Sequence, residues 1–230
     1  MSEFITGFVI FPNLTQLDFT GPLQVLHRLP GAKTEIVAKT REPVLSDCGM
    51  AIVPTTTFAD CPPLDLLCLP GGFGVDQAIE DAATIAFVRE QGARATYVTS
   101  VCTGAFILGA AGLLQNTRAT THWAYHHLLP RVGAIPVQER VVRDGRTFTG
   151  GGVTAGIDFA FTVMHEISGA SVAQAVQLAL EYDPQPPFQA GSPARVPAEI
   201  KGVIDQRFAP RLHQFEAILD RVAPRLQATV

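Results

Sequence analysis

Residues 95–114 read Ala-Thr-Tyr-Val-Thr-Ser-Val-Cys-Thr-Gly-Ala-Phe-Ile-Leu-Gly-Ala-Ala-Gly-Leu-Leu. Tyr97 to Val101 is a short run rich in β-branched residues, which predicts a buried strand. From about Gly104 the Ala/Leu/Gly composition predicts a helix. Cys102 falls at the junction. A side chain on a sharp strand-to-helix turn is held off the sheet, above the first free N–H groups of the helix. Those groups and the helix dipole favour an anion and push a thiol toward thiolate. The arrangement is that of a nucleophile elbow, with sulfur in place of a serine hydroxyl. Gly104 keeps the tight turn free of a Cβ. The plainer alternative is that Cys102, like Cys48, Cys61 and Cys68, is a small buried hydrophobe.

The rest of the chain sets bounds on this reading. Its 230 residues are 47% hydrophobic and carry a formal net charge of −4. That length predicts one domain over 1–230, with 184–230 as a C-terminal arm and helices. An acidic balance argues against a nucleic-acid partner. No apolar run is long enough to span a bilayer, so no membrane partner is expected. Residues 1–11 have no basic n-region and reach Pro12 quickly, so no signal peptide is expected there. Four cysteines at unrelated spacings suggest reduced thiols and a cytoplasmic location. No His/Cys cluster has zinc-ligand spacing, so no metal is expected.

Outward from the elbow, strands and helices alternate. Glu3 to Phe11 is a nearly continuous apolar run that reads as a buried parallel strand, and a helix follows to about Leu29. Asp18 lies just past the strand's carboxyl end. Ligand crevices of open α/β sheets form at that end, so Asp18 and Cys102 are candidates to meet there; a helix N-cap is the other reading of Asp18. Asp65–Pro70 is another apolar strand, running straight into Gly71-Gly72-Phe73-Gly74. A glycine-rich turn at a strand's end brings backbone N–H groups close to a ligand, which makes those of Gly72 and Phe73 candidates to stabilise negative charge. The spacing matches no dinucleotide fingerprint or P-loop, so no nucleotide is expected.

Beyond the elbow, His122 is either a base partner for a thiol or a packed or capping histidine. Gln138 to Thr149 alternates around Asp144-Gly145, a hairpin signal. Gly150-Gly151-Gly152 then implies a close backbone approach or a hinge, and makes Gly150 and Gly151 candidate substrate-binding or oxyanion positions. Helices follow at about 154–167 and 171–182. After an irregular arm from Asp183, a last helical stretch, 199–227, is expected to break near Pro210 and Pro224. The pattern predicts an α/β, flavodoxin-like, doubly wound and mostly parallel sheet, with a nucleophile elbow and a β-hairpin insertion.

Six motifs in this order resemble the ThiJ/PfpI superfamily of the class I glutamine amidotransferase-like fold. They are Leu17-Asp18-Phe-Thr-Gly21-Pro22, Leu69-Pro-Gly-Gly72, Thr99-Ser-Val-Cys-Thr-Gly104, Ala119-Thr-Thr-His-Trp123, Gly150-Gly-Gly152 with Thr154-Ala-Gly-Ile-Asp158, and Tyr182-Asp-Pro-Gln-Pro-Pro-Phe188. The resemblance covers about residues 4–192 and is nearest to the bacterial isocyanide hydratases. It implies a homodimer that adds water to an isocyanide, giving an N-substituted formamide. Cys102 would be the nucleophile forming a thioimidate, Asp18 the acidic partner and proton shuttle, and Thr103 a residue that positions the site. No metal or organic cofactor is implied. Two other readings compete. One is a thiol-dependent hydrolase, protease- or deglycase-like, with a Cys–His pair. Thr103 after the nucleophile and an Asp rather than a Glu weigh against it. The other is a ligand sensor related to those of AraC-type regulators, and the short remainder after Phe188, in a chain that is acidic as a whole, weighs against that.

Overall fold

The computed structural model describes residues 3–227, with backbone alone for 223–227. The first half of the chain runs β1 (Phe4–Val9), α1 (Gln16–Leu26), β2 (Ala32–Ala38), β3 (Val44–Leu45), β4 (Ala51–Ile52), β5 (Thr56–Thr57), β6 (Leu66–Leu69), α2 (Val75–Glu80) and α3 (Ala82–Arg94). The second half runs β7 (Tyr97–Val101), α4 (Gly104–Ala110), β8 (Arg118–Ala119), a 3₁₀ helix over Trp123–Val132, β9 (Ile135–Pro136), β10 (Val141–Asp144), β11 (Thr147–Gly150), α5 (Ala155–Ser168), α6 (Ala170–Ala179) and α7 (Ala198–Gln227).

Seven strands form one sheet in the order β10-β11-β7-β6-β1-β2-β5. Every neighbour pair is parallel except β10 with β11. The apolar runs of β1, β6 and β7 follow from burial on both faces. α1 and α5 pack together on one side, and α3 and α4 on the other. Phe8, Leu67, Phe106 and Phe159 are fully buried between these layers. Each such side chain contributes about 1.5–3 kcal/mol of transfer free energy.

This connectivity positions the site. From β1 the chain winds one way through β2 and the other way through β6, β7 and β11. The carboxyl ends of β1, β6, β7 and β11 therefore lie side by side, and each ends in a segment of interest: Asp18, Gly71-Gly72, Cys102 and Gly150-Gly151.

Several expectations change. The 138–149 hairpin is not an insertion but the end of the main sheet, because β11 pairs in parallel with β7. Asp18 is not the N-cap of its helix: Thr15 is, and Asp18 lies in the first turn. α7 runs unbroken through Pro210 and Pro224. Pro210 and Gln206, whose carbonyl loses its partner, are both exposed, so water can satisfy that carbonyl. Phe215, Ile218, Leu219 and Val222 meanwhile anchor the helix by burial.

At Gly104 a Cβ would fall on the Leu69 carbonyl oxygen, with Pro70 O at 2.7 Å. Both are backbone atoms and cannot rotate away. Gly104→Ala is expected to cost about 3 kcal/mol, the upper end of the overpacking range, and to lower Tm by ~6–12 °C. A thermal melt within about 2 °C of wild type would show instead that the junction yields.

Candidate active site

Cys102 has φ 55°, a left-handed conformation that non-glycine residues rarely adopt. Three hydrogen bonds hold it there. Its N–H is shared between Gly150 O at 3.0 Å and Gly151 O at 2.9 Å. Its carbonyl accepts from Thr121 Oγ1 at 2.7 Å. Strain of this kind persists only where the surroundings over-determine it, and it concentrates at functional positions.

Asp18 is fully buried behind the cysteine. Its Oδ2 accepts the Gly71 N–H at 3.0 Å. A Cβ on Gly71 would stand 2.8 Å from that oxygen and 2.6 Å from Thr103 N, so the close approach requires glycine. Oδ1 is buried without a formed hydrogen bond. The Cys102 thiol is a polar neighbour of the carboxyl and interacts with it without a formed hydrogen bond to Oδ1.

Burial raises the Asp18 carboxyl from 3.8 to about 7, against the opposing pull of Cys102 and the Gly71 N–H. Burial, then the Asp18 charge, also pushes the Cys102 thiol well up; the N–H groups of Thr103 and Val153 favour the thiolate but do not prevail. The elbow alone therefore does not make a thiolate, contrary to the sequence reading. Desolvation and a neighbouring carboxylate outweigh a seven-residue helix's N-terminus. The outcome is two acids that retain at least one proton between them at neutral pH.

Thr103 Oγ1 accepts from Gly72 N–H at 3.0 Å. The Gly72 N–H is thus engaged and is not an oxyanion donor. The Phe73 N–H makes no hydrogen bond to the described residues. Gly150 and Gly151 also differ from expectation. They present carbonyls to Cys102, and the Gly151 N–H is taken by Arg140 O at 2.9 Å, so their part is to hold the elbow. His122 caps the 3₁₀ helix, its Nδ1 accepting from Ala124 N–H at 3.3 Å. Burial lowers it to about 4, so the ring is neutral at pH 7. It packs against Trp123, Tyr125 and Phe208, which is the capping and packing alternative, while still facing the cavity.

That cavity, about 200 Å³, opens over Cys102 and Thr103. Its walls include Phe73, Tyr125, Val153 and Phe208, with Asp47 at one side. Of these only Phe73 and, less directly, Val153 carried a sequence signal. Val153, at φ 27°, follows the triple glycine directly, and that adjacency is the one clue that pointed toward it. A larger cavity, about 500 Å³, opens beside Lys39, Glu42 and Asp81, but it contains neither member of the acid–thiol pair. Among the described residues no group of three His, Cys, Asp or Glu side chains could hold a metal ion. Among the described residues no helix is long and apolar enough to cross a membrane.

Residues 7–166 match the family model described as the DJ-1/PfpI family. The chain belongs to the DJ-1/PfpI family. This DJ-1/PfpI protein is 56% identical over 220 residues, 96% of each chain, to an isonitrile hydratase from Pseudomonas putida. A solved ThiJ/PfpI family protein from Pseudomonas syringae superposes with a TM-score of 0.93 at 45% identity, covering 95% of this chain and 91% of that one. Drosophila melanogaster DJ-1beta superposes at 0.69 with 22% identity over 78% of this chain and 98% of that one, a likeness of fold alone. The DJ-1/PfpI match ends within α5, so α6, the arm and α7 lie beyond it.

Proposed function

We propose that this DJ-1/PfpI protein is an isocyanide (isonitrile) hydratase, converting R–N≡C and water to R–NH–CHO. The observation that carries this is its likeness to the Pseudomonas putida isonitrile hydratase along nearly the whole of both chains. The apolar-walled cavity over a buried thiol–carboxyl pair suits the chemistry. An isocyanide carbon is a soft electrophile, and it needs both a soft nucleophile and a proton.

In the reactive form the pair holds one proton, with sulfur as thiolate and Asp18 as acid. Sulfur bonds to the terminal carbon while the Asp18 proton passes to that carbon, leaving a thioimidate, Cys–S–CH=N–R, and an Asp18 carboxylate. Water then adds: its hydroxide bonds to carbon, and its proton is relayed by Asp18 to nitrogen. The tetrahedral adduct collapses as the hydroxyl proton returns to Asp18 and the C–S bond breaks. Formamide leaves, and thiolate and acid are restored. The N–H groups of Thr103 and Val153 favour the anionic sulfur at the start and end of this cycle. Thr103 Oγ1 ties the elbow to the Gly72 turn. The unengaged Phe73 N–H is the oxyanion candidate that fits. No step calls on a cofactor.

The same reading brings a homodimer, for which exposed Leu45, Met50 and Val53 on and beside the β3–β4 hairpin offer apolar surface. The need for a reduced Cys102, in a chain whose four cysteines are free, suits the cytoplasm. The experiment is turnover of phenyl isocyanide by the reduced protein, with N-phenylformamide followed by chromatography. Formamide above the protein-free rate is expected. None from folded, reduced protein would overturn the assignment.

A further inference from the structure

One wall of the cavity belongs to α7, the helix beyond the family match. The Phe208 ring stands 5.5 Å from His122, centroid to centroid, and 6.0 Å from Trp123 in an edge-on contact. It is also edge-on to Tyr125 at 6.2 Å. Arg211, on the next turn, donates to Phe73 O at 2.6 Å and to Asp76 Oδ1 at 2.9 Å. Its guanidinium lies over the Phe73 ring, 4.6 Å from the centroid. Phe208 is thereby fixed on two sides, by the aromatic cluster and by the clamp on the glycine-rich turn.

Beyond Trp123 lies a second cavity of about 220 Å³, lined by Trp123, Pro193, Val196, Ile200, Lys201 and Ile204 among others. Ile204 is one helical turn before Phe208, so the same helix walls both spaces. The Phe208–Trp123 contact stands between them.

We infer that Phe208 is a specificity-determining residue: its ring, edge-on to Trp123, ends the substrate cavity and separates it from the space under the 183–197 arm, so that the enzyme takes isocyanides with compact apolar R groups. This rests on the hydratase reading. A cavity of about 150 Å³ holds benzene, so about 200 Å³ holds one six-membered ring and the isocyanide carbon. A fused bicyclic group lying along the cavity toward Trp123 meets the Phe208 ring, and the packed neighbours of that ring resist its displacement. Polar R groups would give up hydrogen bonds to water against aromatic walls.

The test compares kcat/KM for phenyl and 2-naphthyl isocyanide in wild type, Phe208→Ala and Phe208→Leu. The naphthyl-to-phenyl ratio is the readout, because any loss of active protein cancels in it. Removing the ring lengthens the substrate cavity toward Trp123. The ratio is expected to rise at least about 10-fold in Phe208→Ala and by less in Phe208→Leu, in line with the discrimination hydrophobic pockets achieve. Should Phe208→Ala not fold, the leucine variant carries the comparison. A ratio within about twofold of wild type would overturn the inference while leaving the hydratase standing. No formamide from wild type with either substrate would overturn both.

Discussion

Cys102→Ala will turn over phenyl isocyanide at least about 10⁴-fold more slowly than wild type, because covalent catalysis is lost outright while binding remains. The paired variant Cys102→Ser separates geometry from nucleophilicity. A serine hydroxyl takes the same place on the elbow, and the Gly150, Gly151 and Thr121 hydrogen bonds go to the backbone of residue 102, so they are retained. What changes is the acidity and softness of the attacking atom. Both variants are expected to be folded and inactive. Quenching wild type during turnover should trap a species heavier by one isocyanide, visible by intact-protein mass spectrometry and missing from both variants. Formamide from the serine variant at near wild-type rate would show that water is activated directly and that no thioimidate forms.

Asp18→Asn should lower kcat by roughly 10²–10⁴-fold, the usual worth of a positioned proton donor and acceptor. Asparagine preserves shape, and its amide oxygen can accept the Gly71 N–H as Asp18 Oδ2 does. It cannot give up and recover a proton. Full turnover by this variant would rule out the shuttle.

Stability should move the other way. Because burial raises Asp18 from 3.8 to about 7, the folded state binds this proton more tightly than the unfolded chain. Stability therefore falls as pH rises from about 4 to about 7 and stays reduced above. About three units correspond to about 4 kcal/mol as an order of magnitude. Asp18→Asn removes that cost. Its melting temperature should match wild type near pH 4 and exceed it above pH 7. Activity of the wild type should rise with pH through about 7, as the pair sheds its first proton, and that limb should be missing from the asparagine variant. Identical pH–stability curves for the two proteins would mean that Asp18 is not held protonated by burial.

The parts of the site that were legible in the sequence are those with a local signature. The β-branched run before Cys102 and the glycine two residues after it announce an elbow whatever surrounds it. The position of Asp18 past β1 follows from a general property of parallel sheets. Other parts depend on what distant segments bring. Val153 reaches the sulfur only because β11 lies next to β7. Phe208 reaches the cavity only because α7 passes through Pro210 unbroken, held by burial of Phe215 and Leu219. The acidity of Cys102 was misjudged for a related reason. Helix polarity can be seen in sequence, whereas the burial that overrides it is a property of the closed core. At Gly72 a Cβ would fall on Thr15 N, a close approach that the glycine-rich turn signalled; Gly150 and Gly151 instead bring carbonyls to the Cys102 N–H. Sequence could not say whether they would present donors or acceptors.

The shared hydrogen bond from Cys102 to the Gly150 and Gly151 carbonyls also bears on how the protein acquires activity. It joins segments 48 and 49 residues apart, and the Gly71–Asp18 contact spans 53. The first needs β11 in place beside β7, and the second needs β6 in place beside β1. Such non-local pairings form late and slowly, after loop-closure entropy has been overcome. The nucleophile's strained backbone is then among the last features to be set during folding. Collapsed intermediates, common in chains of this size, would carry the cysteine without its conformation or its acid, so catalytic competence should emerge only with the completed native state.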